Sequence, residues 1–222
     1  MISKISPSLM CIDFMKIEEN IKLLEEGAVD YLHFDIMDGN FVPNYTFGPD
    51  FMKAIREITS LPFDIHLMVE NPEKKIEFFD IRKGDILSVH YEATVHLQRV
   101  LQQIKELGAR PAVALNPSTP IYCLEDILDD IEVVMVMTVN PGFAGQKLIP
   151  AMLNKIRRLR EYLNDKGYNH IEVEVDGNVS FENAYRMKEQ GANIFVAGTS
   201  SIFSDNEDII NGIHRLRKQI MY

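Results

Sequence analysis

The sequence predicts one α/β domain over residues 1–222 with the (β/α)8 barrel fold. Three observations lead to this prediction. Short apolar, β-branched runs alternate with longer amphipathic segments along the whole chain, as strands and helices do in a parallel α/β fold. Eight such repeats divide the 222 residues into units of about 28, the size of a compact strand–helix pair. The chain is also only slightly shorter than a usual barrel of this type.

Eight runs have the length and the apolar residue types of strands that are buried on both faces. Such strands pair in parallel, and the connection from each to the next is right-handed. The predicted strands cover residues 5–9, 29–37, 63–69, 85–90, 110–116, 132–139, 170–177 and 193–199.

Eight helical segments are expected to alternate with these strands. Residues 16–27, 93–108 and 150–167 show the clearest helical spacing, with apolar residues at i, i+3, i+4 and i+7. Glycines stand where helices should stop, at Gly27, Gly108, Gly167 and Gly191. An open doubly wound sheet is the competing architecture, but it usually carries a glycine-rich turn after its first strand. Here no glycine follows the first strand until Gly27.

The composition limits the partners of the protein. With a formal net charge of −10, the chain lacks the basic surface that nucleic acid or an anionic membrane requires. A phosphorylated small molecule is compatible with this charge, because backbone N–H groups can bind it. Two cysteines without metal-type spacing, Cys11 and Cys123, predict a reduced protein, and no apolar run has the length of a signal peptide or membrane span. We therefore expect a cytoplasmic protein.

Polar side chains concentrate at the predicted strand ends, where barrel enzymes have their active sites. His33 and Asp35 share one face of the second strand, and Asp64 and His66 repeat that spacing on the third. Charged groups that faced the helices would be buried without partners, at a cost of several kcal/mol each. We therefore expect these side chains to face the barrel lumen. The complete set of polar strand-end candidates is Ser8, His33, Asp35, His66, His90, Asn116, Asn140 and Asp176.

The histidines and aspartates of this set predict a metal site. A single strand histidine is more often a hydrogen-bonded core residue, but its recurrence beside aspartates on several strand ends favours ligation. Imidazole nitrogen and carboxylate oxygen suit one divalent ion such as Zn²⁺, Mn²⁺, Co²⁺ or Fe²⁺, with Mg²⁺ acceptable in vitro. The predicted ligands are His33, Asp35, His66 and Asp176, which leave coordination positions open for substrate oxygens. His90 is interpreted as structural or as a support for a ligand.

Methionines and glycines complete the predicted site. Met37, Met68 and Met137 lie near strand ends, where they either fill gaps in the core or form a flexible apolar lining next to the metal. Glycine-rich segments follow the last three strands, at residues 140–146, 176–180 and 197–203. Barrels often bind phosphate through such loops, because glycine lets the backbone approach the oxygens closely.

Seven collinear motifs resemble the ribulose-phosphate 3-epimerase family along nearly the whole chain. They are SPSLMCIDF (6–14), HFDIMDGNFVPN (33–44), DIHLMVENP (64–72), VALNPSTP (113–120), VMTVNPGFAGQ (136–146), EVDGNVSFENA (174–184) and VAGTSSIF (196–203). The resemblance implies a barrel of the ribulose-phosphate-binding type. It also implies a metal-dependent isomerase that inverts C3 of a ketose phosphate through an enediolate whose charge the metal stabilises.

The resemblance assigns roles to individual positions. Asp35 and Asp176 would be the acid/base pair and, with His33 and His66, the metal ligands. Ser8 and His66 would contact the substrate. Contacts to the substrate phosphate would come from Gly142, Phe143, Ala144, Gly145, Gly177, Asn178, Gly198 and Thr199. The family also favours a homo-oligomer, either a dimer or a hexamer.

Several motifs depart from the commonest ribulose-phosphate pattern. LMCID stands where ILSAD is usual, GFAG replaces GFGG, DGNV replaces DGGV, and GTSS replaces endings of the GSA type. These variants look more like the D-allulose-6-phosphate 3-epimerase branch, whose substrate has one more carbon. The alternatives are an epimerase for D-ribulose 5-phosphate and D-xylulose 5-phosphate, and, more remotely, a barrel that binds sugar phosphates without catalysis.

Overall fold

The computed structural model describes residues 2–204 and 208–221, and it contains eight parallel strands that alternate with helical crossovers. The strands are β1 (Lys4–Pro7), β2 (Leu32–Met37), β3 (Phe63–Met68), β4 (Ile86–His90), β5 (Arg110–Leu115), β6 (Val133–Met137), β7 (Glu172–Asp176) and β8 (Ile194–Ala197). The α-helices are α1 (Ile17–Glu26), α2 (Pro49–Arg56), α3 (Leu97–Glu106), α4 (Ala151–Asp165), α5 (Phe181–Glu189) and α6 (Ile209–Met221). Shorter 3-10 segments cover Leu9–Cys11, Phe14–Lys16, Pro72–Lys74, Ile76–Phe78, Tyr91–Ala93 and Ile121–Asp130.

The sheet closes on itself. Consecutive strands pair in parallel from β2 to β8, and β8 pairs with β1. The remaining seam is joined by a parallel bridge between Ser8 and His33 and by the Asp30 N–H, which donates to the Ile5 carbonyl at 3.0 Å. The predicted single-domain (β/α)8 barrel is therefore confirmed.

The strands alternate between two environments. Residues such as Phe34, Ile65 and Val134 point outward and form the large apolar core between the sheet and the helices. Inward residues at the lower end of the lumen are apolar, among them Ile86 and Val133. Above that layer many inward residues are polar, namely Ser6, Ser8, His33, Asp35, Asp64, His66, Ser88, His90, Glu174 and Asp176, while Ala114, Met135 and Met137 are inward and apolar. The period-2 alternation thus directs the polar set into the lumen.

Two of the eight expected helical crossovers are not α-helices in the described part of the chain. The connection after β3 uses Pro72–Lys74 and Ile76–Phe78, and it begins at Asn71 in the left-handed conformation, with φ of 50°. The connection after β5 is Ile121–Asp130, which starts behind Pro120 without a side-chain cap. Its acidic residues lie toward the carboxyl end, where the helix dipole disfavours negative charge. Tighter 3-10 turns replace α-helices in both connections.

One predicted helix stop works differently from the others. Gly108, Gly167 and Gly191 have positive φ values of 81°, 85° and 101°, as expected of glycines that end helices. Gly27 has φ of −70°, and Ala28 adopts the left-handed conformation instead. A Cβ atom on Gly27 would lie 2.4 Å from the Ile213 side chain of α6. A larger residue at position 27 would force the Ile213 side chain to move, so glycine favours the close approach of α1 to α6.

Candidate active site at the carboxyl ends of the strands

A solvent-open cavity lies at the carboxyl ends of the strands, where barrel enzymes bind their substrates. The structure brings most of the predicted site residues to its wall, namely Ser8, Asp35, Met37, Met68, Met137, Gly142, Phe143, Ala144, Gly145, Asp176, Gly177, Asn178, Gly198 and Thr199. His33 and His66 lie beneath this wall and are fully buried.

The four predicted metal ligands converge at the floor of the cavity. One donor atom from each of His33, Asp35, His66 and Asp176 lies within 4.8 Å of the others. His66 Nδ1 is 3.5 Å from Asp35 Oδ1 and 3.5 Å from Asp176 Oδ2. His33 Nε2 is 3.4 Å from Asp35 Oδ1. The cluster could therefore hold a metal ion.

These separations fit the ligand shell of one ion better than they fit hydrogen bonds. Donor atoms bound about 2.0–2.2 Å from a tetrahedral ion are separated by about 3.4 Å. His33 Nε2 and His66 Nδ1 are both buried and have no hydrogen-bond partner among the described residues. An unpaired buried polar atom costs about 1–3 kcal/mol, so two of them aimed at one point call for a ligand there.

Asp35 is held in place from both sides. The Ser8 hydroxyl donates to Asp35 Oδ2 at 2.6 Å, which leaves Oδ1 facing the two histidines. Burial alone would raise the pKa of Asp35, but the neighbouring imidazoles of His33 and His66 outweigh it and hold that pKa well below its usual range. Asp35 is therefore an ionised carboxylate in this environment. Ser8, predicted to contact substrate, lies at the cavity wall as a partner of Asp35.

Asp176 is positioned by the end of the neighbouring strand. The Thr138 N–H and hydroxyl donate to the Asp176 carbonyl at 2.7 Å and 2.8 Å, and the hydroxyl also reaches the Gly177 carbonyl at 2.5 Å. Gly177 has φ of 114°, and a Cβ atom there would lie 2.5 Å from Val139 Cγ2. The turn after β7 therefore requires glycine, and it directs the Asp176 carboxylate toward the cavity.

A buried polar layer supports the cluster from below. Asp64 accepts hydrogen bonds from His33 Nδ1 and from the Ser6 hydroxyl, each at 2.7 Å. Glu174 lies beside them, and burial together with the charge of Asp64 raises its pKa well above the usual value. Because Asp64 bonds the far nitrogen of His33, it fixes the ring so that Nε2 faces the cluster. Of the two polar residues that β3 directs inward, Asp64 thus belongs to the supporting layer and His66 to the metal cluster.

The glycine-rich loops form one side of the cavity. Asn44 links the loop after β2 to the loop after β6 by donating to the Gly142 carbonyl at 2.8 Å. Asn178 has φ of 50° and accepts from the Asn183 side chain at 2.9 Å, which holds the turn that leads into α5. Residues after β8 form a turn in which Ser201 N–H donates to the Gly198 carbonyl at 3.1 Å.

Some residues that line the cavity were not predicted individually as site residues, and the candidate Asn116 does not reach the cavity. Met10, Cys11, Gln146 and Ser200 line it. The first two arrive there because the chain turns sharply at Leu9–Cys11, and the only sequence signal was their place in the first motif. Asn116 lies outside the cavity wall, and its carbonyl accepts from Lys155 Nζ at 2.6 Å.

A (β/α)8 barrel with histidines and aspartates converging at the carboxyl ends of its strands has the architecture of a barrel enzyme. The chain belongs to the ribulose-phosphate 3-epimerase family, whose model matches residues 4–203. It is accordingly an isomerase, a ketose-phosphate epimerase.

Individual relatives agree with this membership. The chain is 46% identical over 197 residues to ribulose-phosphate 3-epimerase of Bacillus subtilis, covering 89% of this chain and 91% of the relative. It is 45% identical to the chloroplastic ribulose-5-phosphate-3-epimerase of Arabidopsis thaliana, covering 94% of this chain and 75% of that protein. The crystal structure of KGPDC from Streptococcus mutans is similar in fold, with a TM-score of 0.68, 14% identity, and coverage of 100% of this chain and 100% of that chain.

Proposed function

We propose that this protein is a metal-dependent ketose-phosphate 3-epimerase that converts D-allulose 6-phosphate to D-fructose 6-phosphate. The observation that carries the reaction type is the pair of carboxylates from β2 and β7. Asp35 and Asp176 lie 3.5 Å from the same nitrogen of His66 and arise from different sides of the barrel mouth. Inversion of a carbon centre needs a proton acceptor and a proton donor on opposite faces, and these two carboxylates can fill those roles.

Inversion at C3 removes the proton next to the C2 ketone and returns one to the opposite face. In this site Asp35 would serve one face of the sugar and Asp176 the other, one accepting a proton while the other donates. Ser8 keeps Asp35 oriented through its 2.6 Å hydrogen bond, and Thr138 does the same for the backbone of Asp176. Both carboxylates are thereby held in place before the substrate arrives.

His33, Asp35, His66 and Asp176 would hold one divalent ion. Such an ion would supply positive charge at the floor of the cavity and so make the C3 proton of a bound substrate more acidic. The residues above the cluster complete the site. Met37, Met68 and Met137 would exclude water beneath a substrate that changes shape, and the backbone of the loops after β6, β7 and β8 would bind its phosphate.

The choice of a six-carbon substrate rests on where the motif variants lie. Every segment that departs from the usual ribulose-phosphate pattern contributes to the cavity wall: Met10 and Cys11, Ala144, Asn178, and Thr199 with Ser200. Residues at these places can set the length of the sugar that fits. D-ribulose 5-phosphate is the second candidate, because the names of the curated relatives at 46% and 45% identity specify ribulose phosphate.

Turnover on two substrates tests the proposal. We expect kcat/KM for D-allulose 6-phosphate to exceed that for D-ribulose 5-phosphate, with uptake of deuterium at C3 when the reaction runs in heavy water. A wide margin in favour of the five-carbon sugar would refute the substrate choice and leave the 3-epimerase reaction intact. Binding of both sugars without exchange at C3 would refute the reaction and favour a sugar-phosphate sensor.

We further propose that the enzyme works in the cytoplasm as a homo-oligomer, either a dimer or a hexamer. Large apolar side chains are exposed in the loops at the cavity end of the barrel, including Phe14, Met15, Tyr45, Val95 and Tyr122. Packing of subunits against one another would remove such surface from water. Sedimentation equilibrium measures the assembly directly, and a monomer at micromolar concentration would contradict the proposed homo-oligomer.

Among the described residues no helix has the length and apolar character to cross a membrane.

A further inference from the structure

We propose that His90 and Glu92 form a relay that fixes the tautomer of His66 and so presents the Nδ1 lone pair of His66 to the metal. The inference rests on the proposed metal site and goes beyond it, because neither His90 nor Glu92 belongs to the ligand set. Both are positioning residues, since they act on the site through His66.

The relay is a chain of hydrogen bonds that leads out of the buried cluster. His66 Nδ1 faces the two carboxylates, and its other nitrogen, Nε2, lies 2.8 Å from His90 Nε2. His90 Nδ1 lies 3.3 Å from Glu92 Oε2. Both imidazoles are fully buried, and the Phe41 ring packs on His90 with ring centroids 4.6 Å apart. The carboxylate at the end is reached by solvent, with 26% of its side chain exposed.

When both imidazoles are neutral, only one placement of their protons leaves Nδ1 of His66 free to bind a metal. His66 must then carry its proton on Nε2 and donate it to His90 Nε2. His90 must accept there, so its own proton sits on Nδ1. A carboxylate is an acceptor only, and Glu92 therefore selects this tautomer of His90, which in turn selects that of His66.

Glu92 is itself fixed as an acceptor. Its Oε1 atom accepts hydrogen bonds from the Asn116 N–H at 3.1 Å and from the Thr119 hydroxyl, so Oε2 is the atom that faces His90. Burial would raise the pKa of Glu92, but the hydrogen bonds from His90 and Thr119 lower it to about 2. The relay consequently ends in an anion whose second oxygen is already engaged by the loop after β5.

The substitution Glu92→Gln tests the relay with little change in shape. The glutamine Oε1 can keep the bonds to Asn116 and Thr119, which places its NH₂ group opposite His90 Nδ1. Two donors then face each other unless His90 moves its proton to Nε2. That shift would make His66 accept at Nε2 and carry its proton on Nδ1, the nitrogen that the metal needs.

We expect Glu92→Gln to weaken Zn²⁺ binding about 10- to 100-fold in competition with a chromophoric chelator. The melting temperature of the metal-free variant should stay close to that of the metal-free wild type. Glu125→Gln removes the same charge from an exposed glutamate whose partner is Lys166, and it should leave Zn²⁺ affinity unchanged. Nitrogen-15 spectra of the histidine rings should show the His66 proton on Nε2 in the wild-type protein. Unchanged Zn²⁺ affinity in Glu92→Gln, or a wild-type His66 proton on Nδ1 with Zn²⁺ bound, would overturn the relay.

A double-mutant cycle separates the relay from a simple loss of negative charge. In the His90→Phe background the relay is already broken, so Glu92→Gln should weaken Zn²⁺ binding no further. An equal loss in both backgrounds would mean that the carboxylate acts by its charge alone and would refute the relay. Failure of the wild-type protein to bind Zn²⁺ would refute both the metal site and the proposed function. Wild-type binding without an effect of Glu92→Gln removes only the relay.

Discussion

Replacing Asp176 with asparagine is expected to reduce epimerisation by about 10³- to 10⁴-fold. The substitution keeps the size of the side chain and an oxygen that can bind a cation, but it removes the group that transfers a proton on one face of the sugar. The barrel should persist, because the backbone of Asp176 is held by Thr138 and asparagine has nearly the same size as aspartate. Circular dichroism checks the fold, and a coupled assay measures the turnover.

Isotope exchange makes this prediction specific to a two-carboxylate site. In the Asp176→Asn variant, Asp35 can still remove and return a proton on its own face. One epimer should therefore exchange its C3 hydrogen with heavy water without being inverted, while the other epimer does neither. Near-normal turnover in metal-loaded Asp176→Asn would refute the scheme. Equal loss of exchange for both epimers would refute the separate roles of the two carboxylates.

Asp38→Asn is a matched control for this substitution. Asp38 lies three residues after Asp35, but its oxygens accept from the backbone N–H groups of Asn40, Phe41 and Glu70 and from Lys75. It holds the turn after β2 and does not line the cavity. We therefore expect Asp38→Asn to lower the thermal stability of the protein while turnover stays within about tenfold of the wild-type value.

Removal of divalent metal with a strong chelator is expected to lower activity at least about a thousandfold. The reason is the composition of the site. Two buried imidazole nitrogens, His33 Nε2 and His66 Nδ1, have no partner among the described residues and face two carboxylates. Adding back Zn²⁺, Mn²⁺, Co²⁺ or Fe²⁺ should restore turnover, and the melting temperature should rise with the concentration of the ion.

Chelator that has been saturated with metal beforehand is the control, and it should leave activity unchanged. Elemental analysis of the treated protein measures how much metal remains. Full activity in protein shown to be free of metal would contradict the ligand set His33, Asp35, His66 and Asp176. A melting temperature that does not respond to any of these ions would contradict it independently of turnover.

Much of this protein follows from its sequence because strand residues alternate strictly between two faces. The spacing of His33 and Asp35, and of Asp64 and His66, is enough to place both pairs on the inward face of neighbouring strands. Repetition of strand and helix over eight units is enough to predict the barrel. The same periodicity brought the glycine-rich loops to one rim, where they line the cavity with Met37, Met68 and Met137.

Local backbone conformation was harder to predict, since it depends on contacts between distant parts of the chain. Gly27 leaves room for the Ile213 side chain of α6, and the left-handed residue at the end of α1 is Ala28. The 3-10 crossovers after β3 and β5 have apolar periodicity similar to that of α-helices. Met10 and Cys11 reach the cavity only because the chain turns immediately after β1.

The sequence by itself determined the barrel, the inward face of each strand and the residue types available for a metal. The tertiary structure alone decided the height of each side chain in the lumen. The strand register places Asp35 beside His66 and His33 beside Asp64. Asp35 and His66 therefore lie at the height of the metal cluster, whereas Asp64 lies one level lower and bonds to His33. The stagger between neighbouring strands sets the height of each side chain in the lumen, and the sequence of one strand carries no information about that stagger.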